Sequence, residues 1–163
     1  MIERVVDTNV AIVANGRNTN ASIECRAKAL EFLRVMIRSG RVVLDADGAM
    51  LEEYRRYLSP SGQPGVGDRF YQTILNSGPE SVLRIDLPKD PVSGEYLDFP
   101  KDTSLSTFDP DDRVFAAAAR QRGVPVANAV DSGWLKFRAA LESNGISVEF
   151  VCSTDRSTWF VDS

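Results

Sequence analysis

Val5-Val6-Asp7-Thr8-Asn9 is the stretch on which the reading of this chain turns. An apolar run that ends in a carboxylate is the pattern of a parallel strand buried on both faces, where side chains do not alternate between core and solvent. Ligands of open α/β sheets bind just beyond the carboxyl ends of such strands. Asp7 therefore stands where a metal site would begin. As a strand-end residue it is expected to have no helix of its own to cap. The reading holds only if the remaining sequence supplies more strands and more ligands.

It supplies strands and helices in alternation. Ala11 to Asn20 reads as a short polar connection. Ile23, Ala27, Leu30, Leu33 and Ile37 then recur at helical spacing, with Gly40 as the C-cap. Arg41 to Leu44 is a second strand. The next helix carries Met50, Leu51, Tyr54, Tyr57 and Leu58 and is expected to be capped by Asp47. Ser59 to Gly67 is a loop rich in Pro, Gly and Ser, Val66 to Leu75 a helix, and Val82 to Ile85 a short strand. Residues 87–108 hold three prolines and no periodicity, and loops of that length are commonly functional. An alanine-rich helix runs from Asp109-Pro110-Asp111-Asp112 to about Arg122. Val124 to Val126 is a strand edge, Asp131-Ser132-Gly133 leads into a helix with Trp134, Phe137 and Leu141, and Ile146 to Val151 is the last strand. A tail from about residue 152 carries Trp159 and Phe160, expected to dock on the body. Strands alternating with helices predict an α/β fold with a mainly parallel sheet, in one domain over 1–163.

Composition narrows the chemistry. The 163 residues include no histidine, which removes Ser-His and Cys-His catalysis and imidazole zinc sites. Hydrolytic chemistry must then come from carboxylates, with a hard metal ion. Cys25 and Cys152 have no paired spacing and read as small buried apolar groups rather than a disulfide or zinc pair. No apolar run approaches the roughly 20 residues that span a bilayer, and Met1-Ile2-Glu3-Arg4 does not look like a signal peptide. A soluble, cytoplasmic protein is expected. The net charge of −4 argues against a basic nucleic-acid coat, yet 15 of the 19 basic residues are arginine, the side chain suited to bidentate phosphate contact.

Acidic residues recur at the ends of elements. Glu52 and Glu53 are adjacent on one helix, and at 100° per residue Glu53 borders the apolar stripe while Glu52 points to solvent. Asp109 is a natural N-cap with Pro110 at the first helical position, and first-turn acids complement the macrodipole, so capping alone accounts for Asp109, Asp111 and Asp112. Asp131 equally fits a turn or cap. The alternative is that Asp7, Glu53, Asp112 and Asp131 converge at the carboxyl edge of the sheet. Two like charges about 4 Å apart repel by about 4 kcal/mol at an effective dielectric near 20, a cost that a divalent cation removes.

Val6-Asp7-Thr8-Asn9, Leu51-Glu52-Glu53-Tyr54, Asp112-Arg113-Val114-Phe115 with its alanines, and Val130-Asp131-Ser132-Gly133-Trp134 together resemble the PIN-domain nucleases. The likeness covers roughly Ile2 to Val151, and the spacing of 19 between Asp112 and Asp131 (131 − 112) matches that family's helix-turn-strand unit. It implies a three-layer α/β/α sandwich and a Mg²⁺- or Mn²⁺-dependent endoribonuclease. Asp7, Glu53, Asp112 and Asp131 would be its catalytic and metal-binding residues. Thr8 or Asn9 would bond the carboxylates or the scissile phosphate, and Arg17, Arg55 and Arg113 would hold RNA. Many small bacterial members are toxins held by an antitoxin protein, so a toxin role, an antitoxin partner and a homodimer are implied as well. Relatives often read Asp-x-Asp where this chain has Asp131-Ser132-Gly133. Gly133 and the acidic net charge are thus the main support for the alternative, a PIN-like RNA- or protein-binding module without cleavage. Receiver and dehalogenase patterns lack their second acids here, and no phosphate-binding Gly-rich loop is present.

Overall fold

A computed structural model of the chain describes residues 1–161; Asp162 and Ser163, the end of the tail, lie outside the described residues. Five strands, β1 (Glu3–Val6), β2 (Arg41–Asp45), β3 (Val82–Ile85), β4 (Val126–Asn128) and β5 (Val148–Phe150), form one sheet in the order β3-β2-β1-β4-β5. Every pairing is parallel. The expected strands at 124–126 and 146–151 are shifted and shortened, because the pairs Val126↔Val148 and Asn128↔Phe150 set the register.

The helices are α1 (Thr8–Asn15), α2 (Ile23–Ser39), α3 (Ala49–Tyr57), α4 (Val66–Asn76), α5 (Arg113–Arg122), α6 (Ser132–Lys136) and α7 (Arg138–Ser143). Helices α1, α2 and α4 pack on one another, and α5 lies across β1 and β2. The result is a three-layer α/β/α sandwich, as the sequence predicts. Val5 and Val6 are fully buried, which is what a strand at the centre of such a sheet requires. Ala116 to Ala119 are buried along α5, and their small side chains let that helix approach the sheet closely.

Three expectations are corrected. Residues 8–15 form a helix rather than part of a polar connection, since Val10, Ala11, Val13 and Ala14 all find buried places, and only Gly16 onward, left-handed at φ 69°, is a link. Helix α3 is capped by Asp45 instead of Asp47: its carboxylate accepts from the N–H groups of Ala49 and Met50 at 2.8 and 2.9 Å. The third concerns the cysteines. Both are buried as expected, but they form a Cys25–Cys152 disulfide, because the chain after β5 returns to the start of α2. That return is completed by the fully buried Trp159, whose carbonyl accepts from Ser22 N at 2.7 Å, so the tail docks as its aromatic pair predicts.

The sheet order reverses between β1 and β4. Crevices at such switch points, outside the carboxyl ends of the strands, are where open α/β sheets bind ligands.

Candidate metal centre

Asp7 directly follows β1 at that switch point, with its N–H donating to Ala127 O of β4 at 3.0 Å. Because α1 starts at once, Asp7 is also its N-cap: Oδ1 accepts from Asn9 N at 3.0 Å. This corrects the expectation that Asp7 has nothing to cap. Its Oδ2 accepts from the indole N–H of Trp134 at 2.8 Å. The carboxylate is only 5% exposed.

Asp112 closes a 3₁₀ turn of Pro110–Asp112 and starts α5. Capping of that turn falls to Asp109, whose Oδ1 accepts from Asp111 N at 3.0 Å, while Asp112 makes no capping bond. The local explanation thus accounts for Asp109 and leaves Asp112 without one. Asp131 serves both readings, since its Oδ1 caps α6 by accepting from Gly133 N at 2.9 Å.

Asp7, Asp112 and Asp131 each bring a carboxylate oxygen within 4.8 Å of the others. Among the described residues no Lys or Arg forms an ion pair with any of them. Burial, and then the charges of Asp7 and Asp131, push the Asp112 carboxyl up to about 9. Burial also raises Asp7, against the opposing hydrogen bonds from Asn9 and Trp134. A further polar atom stands beside the cluster in sequence. Thr8 Oγ1 is the one buried side-chain polar atom without a hydrogen-bond partner among the described residues. The donor set is all oxygen, which fits a hard divalent cation such as Mg²⁺ or Mn²⁺.

Glu53 is not one of the three. Glu53 and Glu52 face differently, as their helical spacing predicts: the Glu53 side chain is 20% exposed and Glu52 49%. Glu53 bonds Arg56 at 3.0 Å, and burial together with the charges of Asp111 and Asp109 raises its pKa. It therefore belongs to an acidic rim with Asp109 and Asp111.

Asn9 bonds the Asp7 carboxylate, as expected, and also braces the site from behind. Its backbone N–H reaches Asp7, and its side chain donates to Asn128 Oδ1 at 2.9 Å and accepts from Ala129 N and Val130 N, each at 2.9 Å. Asn128 in turn bonds both the N–H and the carbonyl of Asp131. The two amides thus tie the start of α1 to the loop that presents Asp131. Asn128 and Trp134 are positioning groups that sequence reasoning missed. The signal for Asn128 was a lone amide inside the apolar run Val126-Ala127-Asn128-Ala129-Val130, where a buried polar group must be satisfied.

The three arginines expected to hold RNA are partly committed to the fold. Arg17 pairs with fully buried Asp68 at 2.9 Å. Arg113 donates to the carbonyls of Ser106 and Phe108, each at 3.1 Å, and lies 4.8 Å over the Phe99 ring. Arg55 meets Glu52 at 2.6 Å on an exposed surface. Residues 87–108, irregular as expected, line a broad open groove that ends at Pro110 and Arg113, next to Asp112. No helix of the described residues is long and apolar enough to cross a membrane.

Comparison of the chain with family models, with curated proteins and with solved structures returned no match.

Proposed function

We propose that the protein is a Mg²⁺- or Mn²⁺-dependent ribonuclease of the PIN-domain kind, acting through Asp7, Asp112 and Asp131 with Glu53 at the rim. The observation that carries this reading is the meeting of three carboxylates within 4.8 Å at the switch point of the sheet. A fold that buries carboxyl groups together without a cationic partner gives up stability. Metal binding is the function that makes such an arrangement useful.

A bound divalent ion would supply charge neutralisation, a more acidic water and stabilisation of an in-line phosphoryl displacement. The chain's own residues do the rest. Asp7, Asp112 and Asp131 would hold the ion, and Asp112 would give up its proton in doing so. Helices α1 and α5 both begin at the site, so the positive ends of their dipoles favour an anionic phosphate there. Glu53, its carboxyl raised by burial, is the group suited to orient water or accept its proton. Thr8 Oγ1 offers an uncommitted hydroxyl beside Asp7.

RNA as the substrate, a toxin role with an antitoxin partner, a homodimer and a cytoplasmic location follow from the resemblance to PIN nucleases. The Cys25–Cys152 bridge weighs against the location, because disulfides persist mainly in oxidising compartments. Thiol trapping at lysis separates the two: free thiols support the cytoplasm, and a complete disulfide opposes it. The second reading, a binding module without cleavage, is favoured by Gly133, which supplies no carboxylate where PIN-domain nucleases often carry one, and by Glu53 standing outside the trio.

Labelled structured RNA incubated with Mg²⁺ or Mn²⁺, with and without chelator, discriminates these readings. Cleavage that chelator stops and Asp7→Asn abolishes is the expected result. RNA retained but uncut by the wild-type protein would favour the binding module, and growth arrest on expression would support the toxin role.

A further inference from the structure

We propose that Trp134 is a positioning residue for the metal centre, its indole N–H fixing the Asp7 carboxylate in the orientation that accepts a divalent cation. This rests on reading Asp7, Asp112 and Asp131 as a metal site.

A buried indole N–H needs an acceptor, and the two tryptophans of this chain meet that need in different ways. Both are fully buried. Trp159 donates to a nearby backbone carbonyl, Ser153 O, at 2.7 Å. Trp134 reaches across 127 residues of sequence to Asp7 Oδ2 at 2.8 Å. The end torsion of an aspartate is broad and roughly two-fold, so a carboxylate held at one oxygen can still turn. Asp7 is held at both, by Asn9 N on Oδ1 and by Trp134 on Oδ2. Each carboxylate oxygen carries two lone pairs, so one on each stays open to a cation.

The choice of donor matters. An Arg or Lys in this place would orient Asp7 and also neutralise it, competing with the ion. An indole orients the carboxylate and carries no charge. Its ring is held in turn by Phe108, edge-on at 5.1 Å between centroids. Trp134 also belongs to α6, the helix whose N-cap is Asp131. One short helix therefore presents a second ligand at its cap and the donor to the first ligand from its side, so that Asp7 and Asp131 keep a common geometry.

Trp134→Phe keeps an aromatic ring in the site and deletes the N–H. Mn²⁺ affinity measured by calorimetry is expected to fall about tenfold, the lower end of the loss when an outer partner of a metal ligand is removed. Trp159→Phe deletes the other buried indole N–H, which bonds Ser153 O rather than an acid of the site; its Mn²⁺ affinity is expected to stay near that of wild type. In the wild-type protein the Trp134 indole ¹⁵N–¹H resonance, assigned by its absence in Trp134→Phe, should shift on Mg²⁺ addition with the midpoint of calorimetric binding. Equal Mn²⁺ affinity in Trp134→Phe and wild type would overturn the role of Trp134 alone. So would an equal loss in Trp159→Phe, or a Trp134 indole resonance that ignores bound Mg²⁺. Failure of the wild-type protein to take up either ion would instead overturn the metal site itself, and the role of Trp134 with it.

Discussion

Strand β1 begins with one acid and is followed directly by another, and the fold treats the two in opposite ways. Glu3, at the amino edge of the sheet, is bonded by Arg41 of β2 and by Arg122 of α5, the latter at 2.8 Å. Those guanidinium partners hold its carboxyl down at about 2. Asp7, just past the carboxyl edge, sits with Asp112 and Asp131, and the group drives Asp112 up to about 9. A few residues of one strand thus separate an acid satisfied by the fold from a cluster the fold leaves without a cationic partner. Structural acids are compensated where they stand. An uncompensated set at a ligand-binding edge points to a partner that arrives from outside.

The largest test of that contrast is Asp112→Asn. In the metal-free fold Asp112 holds its proton up to about pH 9, while in the unfolded chain it is released near 3.8. The folded state therefore binds the extra proton, and metal-free stability falls as pH rises through that interval. The amide introduced by the substitution would not titrate, so the variant should be more stable than wild type at pH 8 in chelator, by about 1 kcal/mol. Its Mn²⁺ affinity should drop by more than the ~100-fold reached by changes outside the ligand shell. Urea unfolding at pH 5 and pH 8, with chelator and with Mn²⁺, reads both effects; a variant no more stable than wild type at pH 8 would break the contrast.

Glu3→Gln probes the satisfied end. The folded pKa of Glu3 lies below the ordinary 4.5, so its contribution is complete above that pH and is lost as pH falls toward 2. A loss of about 1 kcal/mol at pH 7 is expected, at the upper end for partly exposed pairs because two arginines share the acid. Unfolding midpoints of wild type and variant should converge near pH 2, and Mn²⁺ binding should not change. A change in Mn²⁺ affinity would mean that the two ends of β1 are coupled.

Gly133→Ala is the smallest and sharpest change. A Cβ there would stand 3.2 Å from Asp131 Oδ1, close enough to press on the carboxylate. Replacing a helical glycine should add about 0.5 kcal/mol of stability, while Mn²⁺ affinity should fall a few-fold through Asp131. Calorimetry and urea unfolding on the same sample separate the two. Unchanged affinity would show that Asp131 tolerates displacement and contributes little to holding the ion.

Much of this was legible in the residues because it depends on local periodicity. The run around Val5 and Val6, the stripe of Met50 and Tyr54 beside Glu53, and Asp109-Pro110 at a helix start all depend on neighbours within a turn or two. Boundaries were less secure. The polar residues 16–20 masked a helix whose apolar positions lie just before them, and Asp47 reads as the cap of α3 because only the shape of the turn after β2 brings Asp45 to that helix start.

The α/β alternation, the burial of β1 and the short set of acids able to meet at one edge of the sheet are all properties of the residue order. Which acids meet is a property of the folded chain, because it depends on β4 lying beside β1, which brings Asp131 to Asp7, and on α5 crossing the sheet, which brings Asp112. The same closure of long loops set Cys25 against Cys152 and the indole of Trp134 against Asp7, each across 127 residues. Pairings at such separations leave no local trace in the sequence, since neither partner needs a particular neighbour to be ready for the other.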